Sequence, residues 1–272
     1  MRAFCIFTAC ALVAVFPCTV HAQATLPWEK GSFQIGGFIT SSDTEMRVDS
    51  SGGGAGAVVN VEDALGVKGE KNTYRIDTFY RFGETRRHQV DLHYFDSRRS
   101  GDRVVNDTIQ IGDATFPVGA QVSTEFDLKF INLDYSYAFF QDDRVRLAVA
   151  GGLHTTGVHY KVSSPGLGLF EDQSYTAPLP VAGLRGEVAI TERWRLKAGL
   201  DLFYLKYDRY TGTLADSTLA VEYLPFKHMG VGLGLNSLRM RIEAEGDDGG
   251  PKLNSELKFN FTGLLLYGKF FF

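Results

Sequence analysis

Between Tyr74 and Phe82 the chain changes polarity at nearly every step: Tyr74, Ile76, Thr78, Tyr80 and Phe82 share one face, and Arg75, Asp77, Phe79 and Arg81 the other. A period of two is that of a β-strand whose two sides meet different surroundings. Val90-Asp91-Leu92-His93-Tyr94 repeats the pattern after the polar segment Gly83-Glu84-Thr85-Arg86-Arg87, so the pair reads as a hairpin. The same unit recurs. Ile131, Leu133, Tyr135, Tyr137 and Phe139 alternate with Asn132, Asp134 and Ser136 before the turn Gln141-Asp142-Asp143-Arg144, and Val145 to Val149 follows. Leu184 to Val188 turns through Thr191-Glu192-Arg193 into Trp194 to Leu202. Leu219 to Leu224 turns through Pro225-Phe226-Lys227-His228 into Met229 to Leu235, and Ser32 to Thr40 and Leu257 to Phe272 complete the set.

This predicts an all-β chain of about ten antiparallel, up-and-down strands, with about 8–12 compatible. Four connections are short polar turns, and the five between them are longer and richer in Gly, Ser and Asp, at 42–70, 98–121, 157–176, 208–214 and 244–255. Short turns at one end and long loops at the other, with both termini on the short side, is the asymmetry of a transmembrane β-barrel. A soluble sandwich or lipocalin-like barrel alternates equally well, with its apolar row turned inward. Alternation alone does not say which row faces inside.

The N-terminus weighs toward the membrane. Arg2 is followed by a mostly apolar run from Ala3 to Val20, and Val20-His21-Ala22 carries small residues where a signal peptidase reads them. The expectation is a leader, residues 1–22, cleaved after Ala22, and a single barrel domain over 23–272. Thr8, Pro17 and Thr19 break the run and make it a poor membrane anchor, and Cys18 follows Phe16-Pro17 rather than a small residue, against a lipoprotein. Beyond the leader nothing reaches the roughly 20 apolar residues of a spanning helix.

Composition supports the strands: 21 Phe, 12 Tyr and 30 Gly stand against 8 Pro. Cys5, Cys10 and Cys18 all lie in the leader, so residues 23–272 have neither a disulfide framework nor a thiolate metal site. The formal net charge of −4 gives no reason to expect nucleic-acid binding. Tyr80, Phe82, Tyr137, Phe139 and Trp194, near strand ends, suit an interfacial aromatic girdle.

The last strand carries a resemblance. Its ending, Gly263-Leu264-Leu265-Leu266-Tyr267-Gly268-Lys269-Phe270-Phe271-Phe272, resembles the C-terminal strand of bacterial outer-membrane β-barrel proteins, which finish in Phe with apolar residues at alternate positions, here Leu264, Leu266 and Phe270 before Phe272. Gly268 interrupts the row. The resemblance implies a Gram-negative outer-membrane location, recognition of these four residues by the barrel-assembly machinery, and outer-membrane lipid and lipopolysaccharide as surroundings. It matches no characterised subfamily, so no functional residue is carried over. Leu265, Tyr267 and Phe271 give the other face a comparable apolar row, and this strand alone leaves its lipid side undefined.

If the apolar rows face lipid, the opposite rows line the lumen. Inward positions are then Arg75, Asp77, Arg81, Asp91, His93, Asp134, Arg146, Arg185, Glu187, Arg195, Lys197, Asp201 and Glu222. Six are basic, six acidic and one is histidine. About ten strands enclose a narrow interior, far below the 16–18 strands of a water-filled porin. Such a balanced set predicts ion pairs across a plugged lumen, with a narrow channel for small solutes or ions as the alternative.

An outer-membrane hydrolase acting on lipid A or peptides is the third reading. Omptin proteases resemble the chain in strand number and need an Asp-His pair with an Asp-Asp pair at the outer rim. Asp91-Leu92-His93 puts a carboxylate and an imidazole on one face. No Asp-x-Asp lies on another strand, and His93 reads as a lumenal hydrogen-bonding residue. His154, inward by alternation, precedes Thr155 and Thr156 and reads as bonded to a neighbouring carboxylate. The histidines lack metal-ligand spacing, so neither a metal nor a cofactor is expected. Gly230, Gly232 and Gly234 have strand rather than phosphate-loop spacing and read as inward glycines, against which Arg195 or Arg185 would lie. In the loops, Ser50 to Gly56 marks a flexible tip. Thr108 to Ile111 and Thr115 to Val118 suggest a hairpin above the membrane, and Arg98, Arg99 and Arg103 are placed to meet lipopolysaccharide phosphates or solvent.

Overall fold

The computed structural model describes residues 28–48, 58–68, 70–111, 113–207, 210–244 and 255–272. The leader with Ala22 and the Ser50–Gly56 tip lie outside the described residues. Ten long strands form a single antiparallel sheet: β1 (Gly31–Val48), β2 (Glu70–Phe82), β3 (His88–Val104), β4 (Gln121–Gln141), β5 (Val145–Ser164), β6 (Leu169–Ala189), β7 (Trp194–Tyr207), β8 (Tyr210–Tyr223), β9 (Met229–Ala244) and β10 (Ser255–Phe271). Each pairs with its neighbours in sequence, and β1 pairs with β10 from Ser32↔Phe271 to Val48↔Ser255, which closes the barrel and leaves no long edge.

The short turns follow from local chemistry. Asp142 Oδ1 accepts from the amides of Arg144 and Val145 at 2.8 and 2.7 Å, and Thr191 Oγ1 accepts from Trp194 N at 3.0 Å. The start of the first strand and the end of the last sit with these turns: Lys30 N donates to Phe272 O at 2.7 Å. The strands exceed their sequence-derived bounds. Segments 157–164 and 169–176, expected as loop, continue β5 and β6, and only Pro165–Gly168 remains between them. Phe139 forms a bulge against β5, so that Phe139 and Phe140 both point outward.

The two faces of the sheet exchange character halfway along. In β4, Asn132, Asp134 and Ser136 point inward while Ile131, Leu133, Tyr135 and Tyr137 point outward. Toward the loop end of the same strand, Phe126, Leu128 and Phe130 point inward while Glu125, Asp127 and Lys129 point outward or are half-exposed. β10 repeats the exchange: Leu264, Leu266, Phe270 and Phe272 are exposed on the outer face, with Leu266 64% accessible, whereas Phe259 and Phe261 are buried inside. This decides what the last strand left open: Leu265, Tyr267 and Lys269 form its inner row. The turn end of the barrel is thus apolar outside and polar inside, as lipid requires, and the loop end has the inside-out order of a soluble barrel.

The loop-end core contains Phe38, Phe95, Phe130, Phe259 and Phe261 in contact, with ring centroids 5.1 Å apart for Phe38–Phe261 and 5.7 Å for Phe95–Phe130. The described part of the first loop, residues 58–68, folds into this end. A short helix, α1 (Val61–Leu65), is capped by Asn60, whose Oδ1 accepts from Asp63 N at 2.7 Å, and it buries Val61 and Leu65 in the core. The hairpin Ile109–Ile111/Ala114–Phe116 buries Ile111 and Phe116 there too.

Candidate functional site

Every one of the thirteen positions assigned to the lumen by alternation lies on the inner face of its strand. They fall into two layers. Nearest the turns is a floor built on three carboxylates. Glu222 receives Lys269 Nζ at 2.7 Å, Lys197 Nζ at 3.0 Å and the Tyr267 hydroxyl at 2.9 Å. Glu29 meets Lys269 and Arg195, each at 2.8 Å, and Glu187 pairs with Arg81 and, at 3.5 Å, with Arg146. Phe79 lies among the cations, its ring centroid 4.5 Å from the Arg81 guanidinium, 5.2 Å from Lys197 and 5.8 Å from Lys269. Trp28 closes the opening beneath, buried and donating through Nε1 to Asp142 O at 2.7 Å.

Above the floor is a cavity of about 150 Å³, and above that the phenylalanine core. Asp77 accepts from Arg75 Nε at 2.8 Å and meets His93 Nδ1 at 2.6 Å. The partner of His93 is therefore Asp77 on the adjacent strand, its register neighbour, and not Asp91 two residues away. Asp91 instead accepts from Gln89 Nε2 at 2.6 Å. Arg185 spans Asp201 at 2.7 Å and Asp134 at 3.4 Å, and His154 Nε2 faces the same two carboxylates at 3.4 Å (Asp134) and 3.9 Å (Asp201). The Asp77–His93 pair sits at mid-lumen beneath the aromatic core, not at an outer rim where a peptide or lipid A would be met.

Two other expectations change. Arg99 is buried inside the mouth, 2.6 Å from Glu62 of α1, whereas Arg98 and Arg103 are exposed, Arg103 donating to the Asp63 carbonyl. The inward glycines of β9 do not accommodate arginines. Tyr267 lies over Gly232, where an added Cβ would come within 2.2 Å of its ring, and Gly230 and Gly234 face Leu224 and Ala220. Sequence reasoning passed over Glu29, Lys269 and Trp28. Glu29 and Trp28 precede the first strand, and Lys269 is a single charge in an otherwise apolar run.

A closed ten-stranded barrel, apolar outside and charged inside at its turn end, is the fold of a bacterial outer-membrane β-barrel protein. Among solved structures the chain is similar to the outer membrane protease OmpT from Escherichia coli, at 11% identity over 89% of this chain and 96% of that one, with a TM-score of 0.58. Ail, the attachment invasion locus protein of Yersinia pestis, matches at 13% identity over 88% and 97% of the two chains with a TM-score of 0.39, and the Ralstonia pickettii toluene transporter TbuX at 9% over 91% of each with 0.39. At 11% identity the likeness to OmpT is one of fold. No protein-family model and no curated protein matches the sequence.

Proposed function

We propose that the protein is exported by its cleaved leader, assembled into the outer membrane through its last strand, and acts at the cell surface as a closed barrel rather than as a pore. The observation that carries this reading is the apolar core filling the loop end of the lumen. Water and ions do not cross a layer of touching phenylalanines, and the ion-paired floor with Trp28 lies below it. The leading surface elements are the strand extensions. β4, β5 and β6 have 21, 20 and 21 residues, about twice the 9–11 that cross a membrane. They hold a cleft of about 540 Å³ between Pro117–Gln121 and Pro165–Leu167 at the outer tip. Lipid and lipopolysaccharide surround the lower band, with Arg98 on its outer margin available to phosphate.

Planar-bilayer recording of the refolded protein tests this. The expected trace is flat. Steady single-channel steps that change in Arg185 or Glu222 variants would return the narrow-channel reading.

A further inference from the structure

We infer that Asp134, His154 and Asp201 form a divalent transition-metal site inside the lumen. The three come from β4, β5 and β7, so no local spacing in the chain announces them. Their donor atoms lie within 4.8 Å of one another, and all three residues are buried. His154 Nε2 is 3.4 Å from Asp134 Oδ1 and 3.9 Å from Asp201 Oδ2, yet neither Nε2 nor Asp134 Oδ1 makes a hydrogen bond. A buried polar atom left without a hydrogen bond is costly, and a cation shared by the two would satisfy both. Metal–nitrogen and metal–oxygen bonds of about 2.0–2.2 Å place tetrahedral donors about 3.3–3.6 Å apart, so a small closure of the Asp201 side completes the set.

The surroundings are arranged for this. Arg185 engages Oδ2 of Asp134 and Oδ1 of Asp201, the oxygens that do not face His154, and so orients both carboxylates from behind. Gly152 and Gly183 stand opposite Asp134 and Asp201 in register, where a Cβ would come within 1.9 and 2.1 Å of the carboxylate oxygens; their missing side chains are the space that the carboxylates occupy.

Charge adds an independent reason. Among the described residues lining the cavity above the floor, six carboxylates (Asp77, Asp91, Asp134, Glu187, Asp201 and Asp216) stand against three cations, Arg75, Arg185 and Lys197. The register even places Asp91 opposite Asp134 and Asp201 opposite Asp216. A divalent cation offsets most of that excess in a compartment closed to bulk solvent. One imidazole and two carboxylates suit Zn²⁺, Mn²⁺ or Fe²⁺, with a fourth position opening on the cavity for water.

The test is to refold the untagged chain with Co²⁺, remove loose metal on a chelating column, and measure cobalt per chain, the visible d–d spectrum and the paramagnetically shifted proton resonances. One Co²⁺ per chain, with a single shifted imidazole N–H, is expected. His154→Ala should retain none, while His159→Ala, at an exposed histidine, should retain one. Folded wild type holding less than about a tenth of an equivalent overturns the proposal, since a closed site loaded during folding releases its ion slowly. So does a full equivalent in His154→Ala. Should that variant not fold, cobalt bound to wild type without a shifted imidazole resonance overturns it as well.

Discussion

The floor of the lumen and the compartment above it are both built from charged side chains on the inner rows of the strands, and their registers pair charges in opposite ways. In the floor, Arg195 stands opposite Glu222, Lys197 opposite Glu187 and Arg146 opposite Glu187. In the compartment, Asp91 stands opposite Asp134 and Asp201 opposite Asp216. Opposite charges across a ladder stabilise it and like charges destabilise it. In the floor three carboxylates sit among five cations, and each carboxylate has at least two of them. The compartment has carboxylates in surplus, and two histidines aimed at them. In the reading proposed above, the first layer helps hold the barrel shut and the second is the candidate site.

The largest effect that would break this contrast is expected at Glu222. Glu222→Ala leaves Lys197 and Lys269 buried without their shared anion, and urea unfolding of the refolded barrel should show a loss of about 3–5 kcal/mol. A loss below about 1 kcal/mol would mean that the floor is hydrated and its pairs are weak. Next is Gly152→Ala. The added Cβ meets Asp134 Oδ1 and the Leu133 carbonyl, so about 1–3 kcal/mol should be lost by the same assay, together with the metal retention expected of wild type. The smallest effect has the opposite sign. Asp91→Asn removes a charge facing Asp134 whose Oδ2 has no hydrogen-bond partner, keeps the acceptor for Gln89, and should raise stability by up to about 1 kcal/mol. If Asp91→Asn destabilised the barrel as much as Glu222→Ala, the two layers would not differ.

Much of this was legible in the chain. The thirteen inward positions followed from a period of two, because a strand cannot turn one residue without turning all. The pairing among them was not legible, since it depends on register between strands: the sequence puts Asp91 and His93 on one face, but the carboxylate that His93 meets is Asp77 across the ladder. The phenylalanine core was missed for a different reason. Thr156, Val158, Tyr160 and Val162 alternate as cleanly as the membrane segments, but with the apolar row on the face that is polar lower down. A reading that holds one row to lipid throughout takes 157–176 for a loop. The exchange between Lys129 and Ile131, where the outer row changes from charged to apolar, was the available signal.

In the proposed reading the lumen is closed. Residues 23–272 have no cysteine, so Thr218→Cys, on the cavity wall, supplies a single thiol. Modification by a membrane-impermeant maleimide should be at least about 100-fold slower in the folded barrel than in the urea-unfolded chain, because the reagent must wait for opening of the structure. Equal rates in the two states would mean that water runs through the barrel, and the closed-lumen account would be wrong.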